Sequence, residues 1–128
     1  MKKTAFPEIL GNIYELPGES WPDEIFEIAA KGVGIRVERI LSCGQATPPG
    51  QWYDQDNDEW VLLVKGSAVL RFEDGAIIEL NSGDHMLIPR KCRHRVEHTS
   101  SPCIWIAVHA GLNPNRDDSE TRCAPGAF

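Results

Sequence analysis

From residue 60 onward the chain is cut into short apolar segments by turn-forming residues at close intervals, and this limits the available folds more than any other feature. Trp60 to Lys65 is followed by Gly66, Ser67 to Glu73 by Asp74-Gly75, and Ala76 to Leu80 by Asn81-Ser82-Gly83. Asp84 to Pro89, Cys92 to His98 and Cys103 to His109 continue the series. The segments are rich in Val and Ile, and Gly, Asn, Asp and Ser supply the turn conformations between them. A parallel strand pair needs a crossover of about a dozen residues or more, which these connections cannot provide. Neighbouring strands are therefore expected to be antiparallel, and the fold class all-β, a sandwich or barrel within one domain.

Upstream, Gly34 to Ser42 alternates Ile35, Val37, Arg39 and Leu41 against Arg36, Glu38, Ile40 and Ser42, a strand with one inward face. His94, Val96 and His98 alternate in the same way with Arg93, Arg95 and Glu97. Pro22 to Lys31 has Pro at a helix-start position followed by acids, and reads equally as a short helix or an edge strand. The final stretch, Gly111 to Phe128, is polar, holds two prolines and two glycines and has no periodicity, so a loose tail is expected.

A chain of 128 residues has room for one core. It contains no apolar run of the ~18 residues that cross a bilayer, and its start lacks the apolar stretch of an export signal. No membrane association and a cytoplasmic location are the corresponding expectations. The formal net charge of −6 has the wrong sign for general attraction to nucleic acid, and no helix-turn-helix pattern is present. Cys43, Cys92, Cys103 and Cys123 show no metal-finger spacing and no C-x-x-C, and are expected to be reduced thiols packed as small apolar groups.

The candidate chemistry lies at the end of a long polar connection between Ser42 and Trp60, which delivers Tyr53, Asp54, Gln55, Asp56, Asp58 and Glu59 into the Trp60 strand. Asp54, Asp56 and Asp58 match the first liganding positions of a calcium loop. The match ends there, because Glu59 stands where the loop needs Gly and Lys65 where it needs a bidentate Glu. A solvated acidic loop is the simpler reading of the three aspartates. His94 and His98 bring a second polar set from another strand. His85 and His109 are read as structural or surface residues, and Trp52, Trp60 and Trp105 as core or subunit-interface residues. Arg90, Lys91, Arg93 and Arg95, with Arg36 and Arg39, read as a solvated basic face; turned to a cavity mouth, an Arg would favour an anionic ligand.

Two spacings resemble the motifs of the cupin superfamily. Glu59, six residues and Gly66 resemble the end of the first motif, and Gly83, five residues, Pro89, four residues and His94 resemble the second, with His98 in its Asn position. The departures are equally specific. Tyr53 and Gln55 stand where the two histidines of the first motif belong, and Lys91 replaces the Gly that follows the motif proline by two residues.

The resemblance implies a cupin-type jelly-roll β-barrel over residues 34–110, with residues 1–33 as N-terminal strands or a short helix packed on it and residues 111–128 as a flexible tail. It implies a metal site of Glu59, His94 and Gln55 for a divalent transition metal (Mn, Fe, Ni or Zn), with Tyr53 and His98 as catalytic proton-transfer groups. All five side chains are expected in one cavity, since His94 and His98 share a face at period two. A neutral amide oxygen is a weak donor, and a Tyr must usually lose its proton to ligate, so the set is poorer than the family's. The expected function is that of a metal-dependent cupin enzyme, a dioxygenase, isomerase or decarboxylase acting on a small polar or anionic molecule. The alternatives are a metal-free small-molecule binding cupin and a structural partner subunit. A homodimer is expected as well, because Trp60, Leu62 and Val64 leave the outer side of their strand apolar.

Overall fold

The structure is a computed structural model and describes residues 6–112. These residues form eight strands and no helix: β1 (Ile25–Gly32), β2 (Ile35–Ser42), β3 (Asp58–Lys65), β4 (Ser67–Phe72), β5 (Ile77–Asn81), β6 (His85–Ile88), β7 (His94–Thr99) and β8 (Cys103–Ala110). They build two antiparallel sheets, one ordered β1-β2-β8-β3-β6 and the other β5-β4-β7, with no strand common to both. The all-β expectation is met in this form, a double sheet of antiparallel strands. Residues 113–128 of the expected tail, with Cys123, lie outside the described residues.

The turn glycines adopt the backbone their positions require. Gly66 has φ 105° between β3 and β4, and a Cβ there would stand 2.7 Å from the Pro102 carbonyl oxygen. Gly75 and Gly83 have φ 95° and 93° in the next two turns. Of the two readings for residues 22–31, the strand forms. Phe26 pairs with Ile40 and Ile28 with Glu38, so β1 gains a backbone ladder on β2, interrupted by a register shift between Ile28 and Ala30, that an isolated amphipathic turn could not match.

The core lies between the sheets. Val61, Leu63, Trp105 and Ala107 from the larger sheet meet Ala68, Leu70, Phe72 and Leu80 from the smaller one, with Ile88 and Cys92 at the edge. The segment before β1 packs on the opposite face of the larger sheet, where Trp21 joins Leu41 and Ile104, and the Trp21 indole N–H donates to the Leu41 carbonyl at 3.2 Å. Arg39 holds this segment by donating to the carbonyls of Ile13 and Glu15. The alternation in β2 therefore resolves with Arg36, Glu38 and Ile40 facing the inter-sheet space, and Val37, Arg39 and Leu41 facing away from it.

The alternation in β7 does not survive along its whole length. Leu70 pairs with Val96 but Val69 pairs with His98, so Glu97 is an extra residue, a β-bulge that shifts the side-chain parity. Beyond it Thr99 is buried and His98 is exposed. The expectation that His98 shares an inward face with His94 is corrected by this bulge.

Candidate functional site

Between the sheets, toward the end where β3 begins, the core gives way to a cavity of about 220 Å³. Its walls are apolar, from Phe26, Ile40, Val61, Leu70, Ile88, Val96 and Trp105, and its polar groups are Glu24, Arg36, Glu38, Tyr53, Gln55, Glu59, His94 and His109. Tyr53, Gln55, Glu59 and His94 are thus brought together as the sequence suggested, and His98 is not among them.

Register explains the constellation. Glu59 is the direct cross-strand partner of His109, and His109 that of Arg36, so three adjacent strands place these side chains in one row. Tyr53 is not in a named strand. It forms a single bridge to His94 in which both backbone bonds are made, at 2.7 and 3.1 Å, and its ring stacks on the imidazole with centroids 5.6 Å apart. Phe72 closes on the same imidazole at 5.8 Å. The long connection that carries Tyr53 is held on β7 by reciprocal bonds between Thr47 and Val96 and by the Arg95 guanidinium, which donates to the Thr47 carbonyl at 2.7 Å.

At the centre is Glu59, buried, with Oε1 lacking any hydrogen-bond partner. The His94 Nε2 stands 3.6 Å from this oxygen, and the His109 Nε2 stands 3.8 Å from Oε2. The His94 Nδ1 lies 2.8 Å from the Cys92 carbonyl oxygen. A carbonyl only accepts, so Nδ1 carries a hydrogen and Nε2 is the nitrogen left facing Glu59. His109 is held from both sides, Nε2 at 2.8 Å from the Glu38 carboxylate and Nδ1 at 3.2 Å from the Gln55 side chain.

Burial raises the Tyr53 pKa above its ordinary 10.0, and the negative charges of Glu24, Glu59 and Glu38 add to that shift. Tyr53 is a hydroxyl donor at neutral pH, not a phenolate. Glu24 is also raised above its ordinary 4.5 by burial, opposed by the hydroxyl of Ser42, which donates to it. Ser42 in turn accepts from the Trp105 indole N–H at 3.2 Å.

As a ligand set for a transition metal these donors are poor. Glu59 and His94 direct free donor atoms at a common point, but both His109 nitrogens are engaged, Tyr53 keeps its proton, and Gln55 offers only a neutral amide. Among the described residues no group of three or more His, Cys, Asp or Glu side chains is arranged to hold a metal ion. The set does not fit a divalent transition metal without rearrangement.

His109, Glu38 and Glu24 are site residues that sequence reasoning missed. The signal was available in β8, where Trp105, Ala107 and His109 alternate onto one face. Asp58 also departs from expectation. It is wholly buried rather than solvated, accepting from the backbone N–H of Arg90 at 2.9 Å and of Leu112 at 3.0 Å. Asp56, by contrast, is an exposed partner of Lys91.

The family described as "Cupin domain" matches residues 41–109. A solved structure from Ralstonia eutropha JMP134, described as "a putative mannose-6-phosphate isomerase", is 43% identical, with a TM-score of 0.75 over 80% of this chain and 97% of that one. A cupin superfamily protein from Desulfitobacterium hafniense DCB-2 superposes with a TM-score of 0.61 at 14% identity, over 70% of this chain and 78% of that one. A cupin-2 domain containing protein from Shewanella frigidimarina NCIMB 400 gives 0.57 at 18% identity, over 67% and 79%. No curated protein matches the sequence.

Proposed function

Since the chain belongs to the cupin superfamily, we propose that it is an isomerase-type member that moves a proton between adjacent carbons of a small hydroxy-carbonyl compound, with Glu59 as the base. The observation that carries this reading is the buried Glu59 Oε1, without a hydrogen-bond partner, facing Nε2 of His94 inside the cavity. A buried carboxylate oxygen without a partner is costly, and sites that retain one commonly use it. The similarity to the Ralstonia eutropha protein supports an isomerisation over the oxidative and decarboxylating alternatives.

The step balances without an external reagent. The Glu59 carboxylate takes the proton from the carbon that bears the hydroxyl, and the C–H electrons form a carbon–carbon double bond. The carbonyl π electrons move to oxygen, which takes a proton from Nε2 of the protonated His94 ring. Glu59 then returns its proton to the neighbouring carbon while His94 recovers one from the hydroxyl that becomes the new carbonyl. Tyr53, held as a hydroxyl, donates to a substrate oxygen, and Glu38 keeps His109 oriented beside Glu59. The apolar walls keep water from the reacting carbons.

The test is interconversion. Purified protein is incubated with aldose and ketose pairs of three to six carbons, free and phosphorylated, and followed by carbon NMR. Conversion of at least one pair, lost in Glu59→Gln, is the expected result. Binding without interconversion across the panel would defeat the enzyme reading and favour a metal-free binding cupin, for which the largely apolar walls already provide.

A further inference from the structure

Carboxylates outnumber the arginine and lysine side chains in the cavity lining. Glu24, Glu38 and Glu59 contribute three carboxylates, and among the described residues Arg36 is the only lysine or arginine in the lining. Arg36 does not stand free at the mouth, because its guanidinium lies 3.6 Å from Glu38. The neighbouring cations are engaged elsewhere: Arg95 with the Thr47 carbonyl and Glu97, Arg93 with Glu73, and Lys91 with Asp56. A phosphate needs a cationic fork or a cluster of N–H donors, and it would here meet carboxylates. Burial is the main cause of the raised Tyr53 hydroxyl, and the three carboxylates add to it.

What the cavity does present suits hydroxyl groups. Carboxylate oxygens accept from them, the Tyr53 hydroxyl donates, and the Trp105 and Val61 walls offer apolar surface for carbon–hydrogen faces. The volume of 220 Å³ lies below the ~300–1,000 Å³ of sites for drug-sized ligands, so the ligand has few heavy atoms. We infer that the site takes an uncharged hydroxylated molecule and excludes its phosphate ester, in contrast to the substrate named for the 43% identical protein. The inference takes the hydroxylated class from the reading above, while the exclusion of phosphate stands on the cavity charges alone.

The experiment titrates the full chain with matched pairs, D-mannose and mannose 6-phosphate, D-fructose and fructose 6-phosphate, glyceraldehyde and its 3-phosphate, and with inorganic phosphate. Affinities come from calorimetry, and the imidazole resonances of His94 and His109 report occupancy of the cavity. The expected result is an uncharged sugar bound about a hundredfold more tightly than its ester, with inorganic phosphate leaving both imidazoles unmoved. The double variant Glu24→Gln, Glu38→Gln should narrow that gap by strengthening ester binding. An ester that binds more tightly than its parent sugar, and loses that affinity in Arg36→Ala, would overturn the inference; so would failure of every uncharged member to bind. Selective binding of an uncharged sugar without turnover would uphold it while defeating the isomerase reading.

Discussion

Asp58 holds together the three chain segments on which the site depends, and replacing it gives a quantitative test of the fold. Its carboxylate is fully buried at the start of β3, one residue before Glu59, and it accepts from the N–H of Arg90 in the loop before β7 and from that of Leu112 just after β8. In Asp58→Ala both N–H groups lose their acceptor. At about 1.5–3 kcal/mol for each hydrogen bond to a charged group, the loss is about 3–6 kcal/mol. That is a large share of the ~5–15 kcal/mol that stabilises a typical domain. For a chain of this length about 1 kcal/mol corresponds to about 4 °C, so a fall in Tm of about 12–24 °C is expected. Asp58→Asn retains one accepting oxygen and turns an N–H toward the other donor, so it should recover less than half of the loss. Thermal and urea unfolding followed by tryptophan fluorescence provide the measurement. A loss below about 1 kcal/mol in Asp58→Ala would refute the clamp, because that is no more than an average point substitution costs.

Three further outcomes follow from the structure. Glu24→Gln should stabilise the protein at neutral pH: the folded-state pKa is raised, so the wild type loses stability as pH rises from the ordinary 4.5 through the folded value, and the amide escapes that loss. In urea titrations at several pH values the gain should vanish below pH 4.5, and a gain that grows toward acid would contradict the assignment. Lys91 has φ 64°, where the related pattern carries Gly, and Lys91→Gly should raise stability by about 0.5–1 kcal/mol, the left-handed strain relieved less the added chain entropy of glycine; destabilisation in thermal unfolding would contradict this. A homodimer through the outer side of the larger sheet, where Trp60, Leu87, Val108 and Leu112 line an open apolar depression, should appear in light scattering at micromolar concentration and be lost in Val108→Glu, whereas a wild-type monomer would contradict it.

Much of the strand layout was legible because turn chemistry and period two act locally: Gly66, Asp74-Gly75 and Ser82-Gly83 end strands wherever the rest of the chain lies. Tyr53, Gln55, Glu59 and His94 were legible as a group because motif spacing carries register information across strands. His98 was not, since the bulge at Glu97 is a property of the β4–β7 pairing and leaves no mark on the alternation of β7. His109 was overlooked for the opposite reason. Its place beside Glu59 depends on β3 and β8 being neighbours, a long-range pairing, although its own strand already set it on the face of Trp105. Asp58 and Asp56 look alike in sequence, and only the approach of Leu112 and Arg90 separates a buried clamp from a solvated acid.

The central claim is that Glu59 moves a carbon-bound proton. It is tested most directly by deuterium exchange: the protein is incubated in D2O with an uncharged hydroxy-carbonyl sugar that it binds, and deuterium appearing at the carbon next to the carbonyl is measured by NMR. Wild-type protein should wash deuterium into that position, and Glu59→Gln should bind the sugar while exchanging about 10²–10⁴-fold more slowly, the factor a positioned general base contributes. Exchange by Glu59→Gln at the wild-type rate would contradict the account.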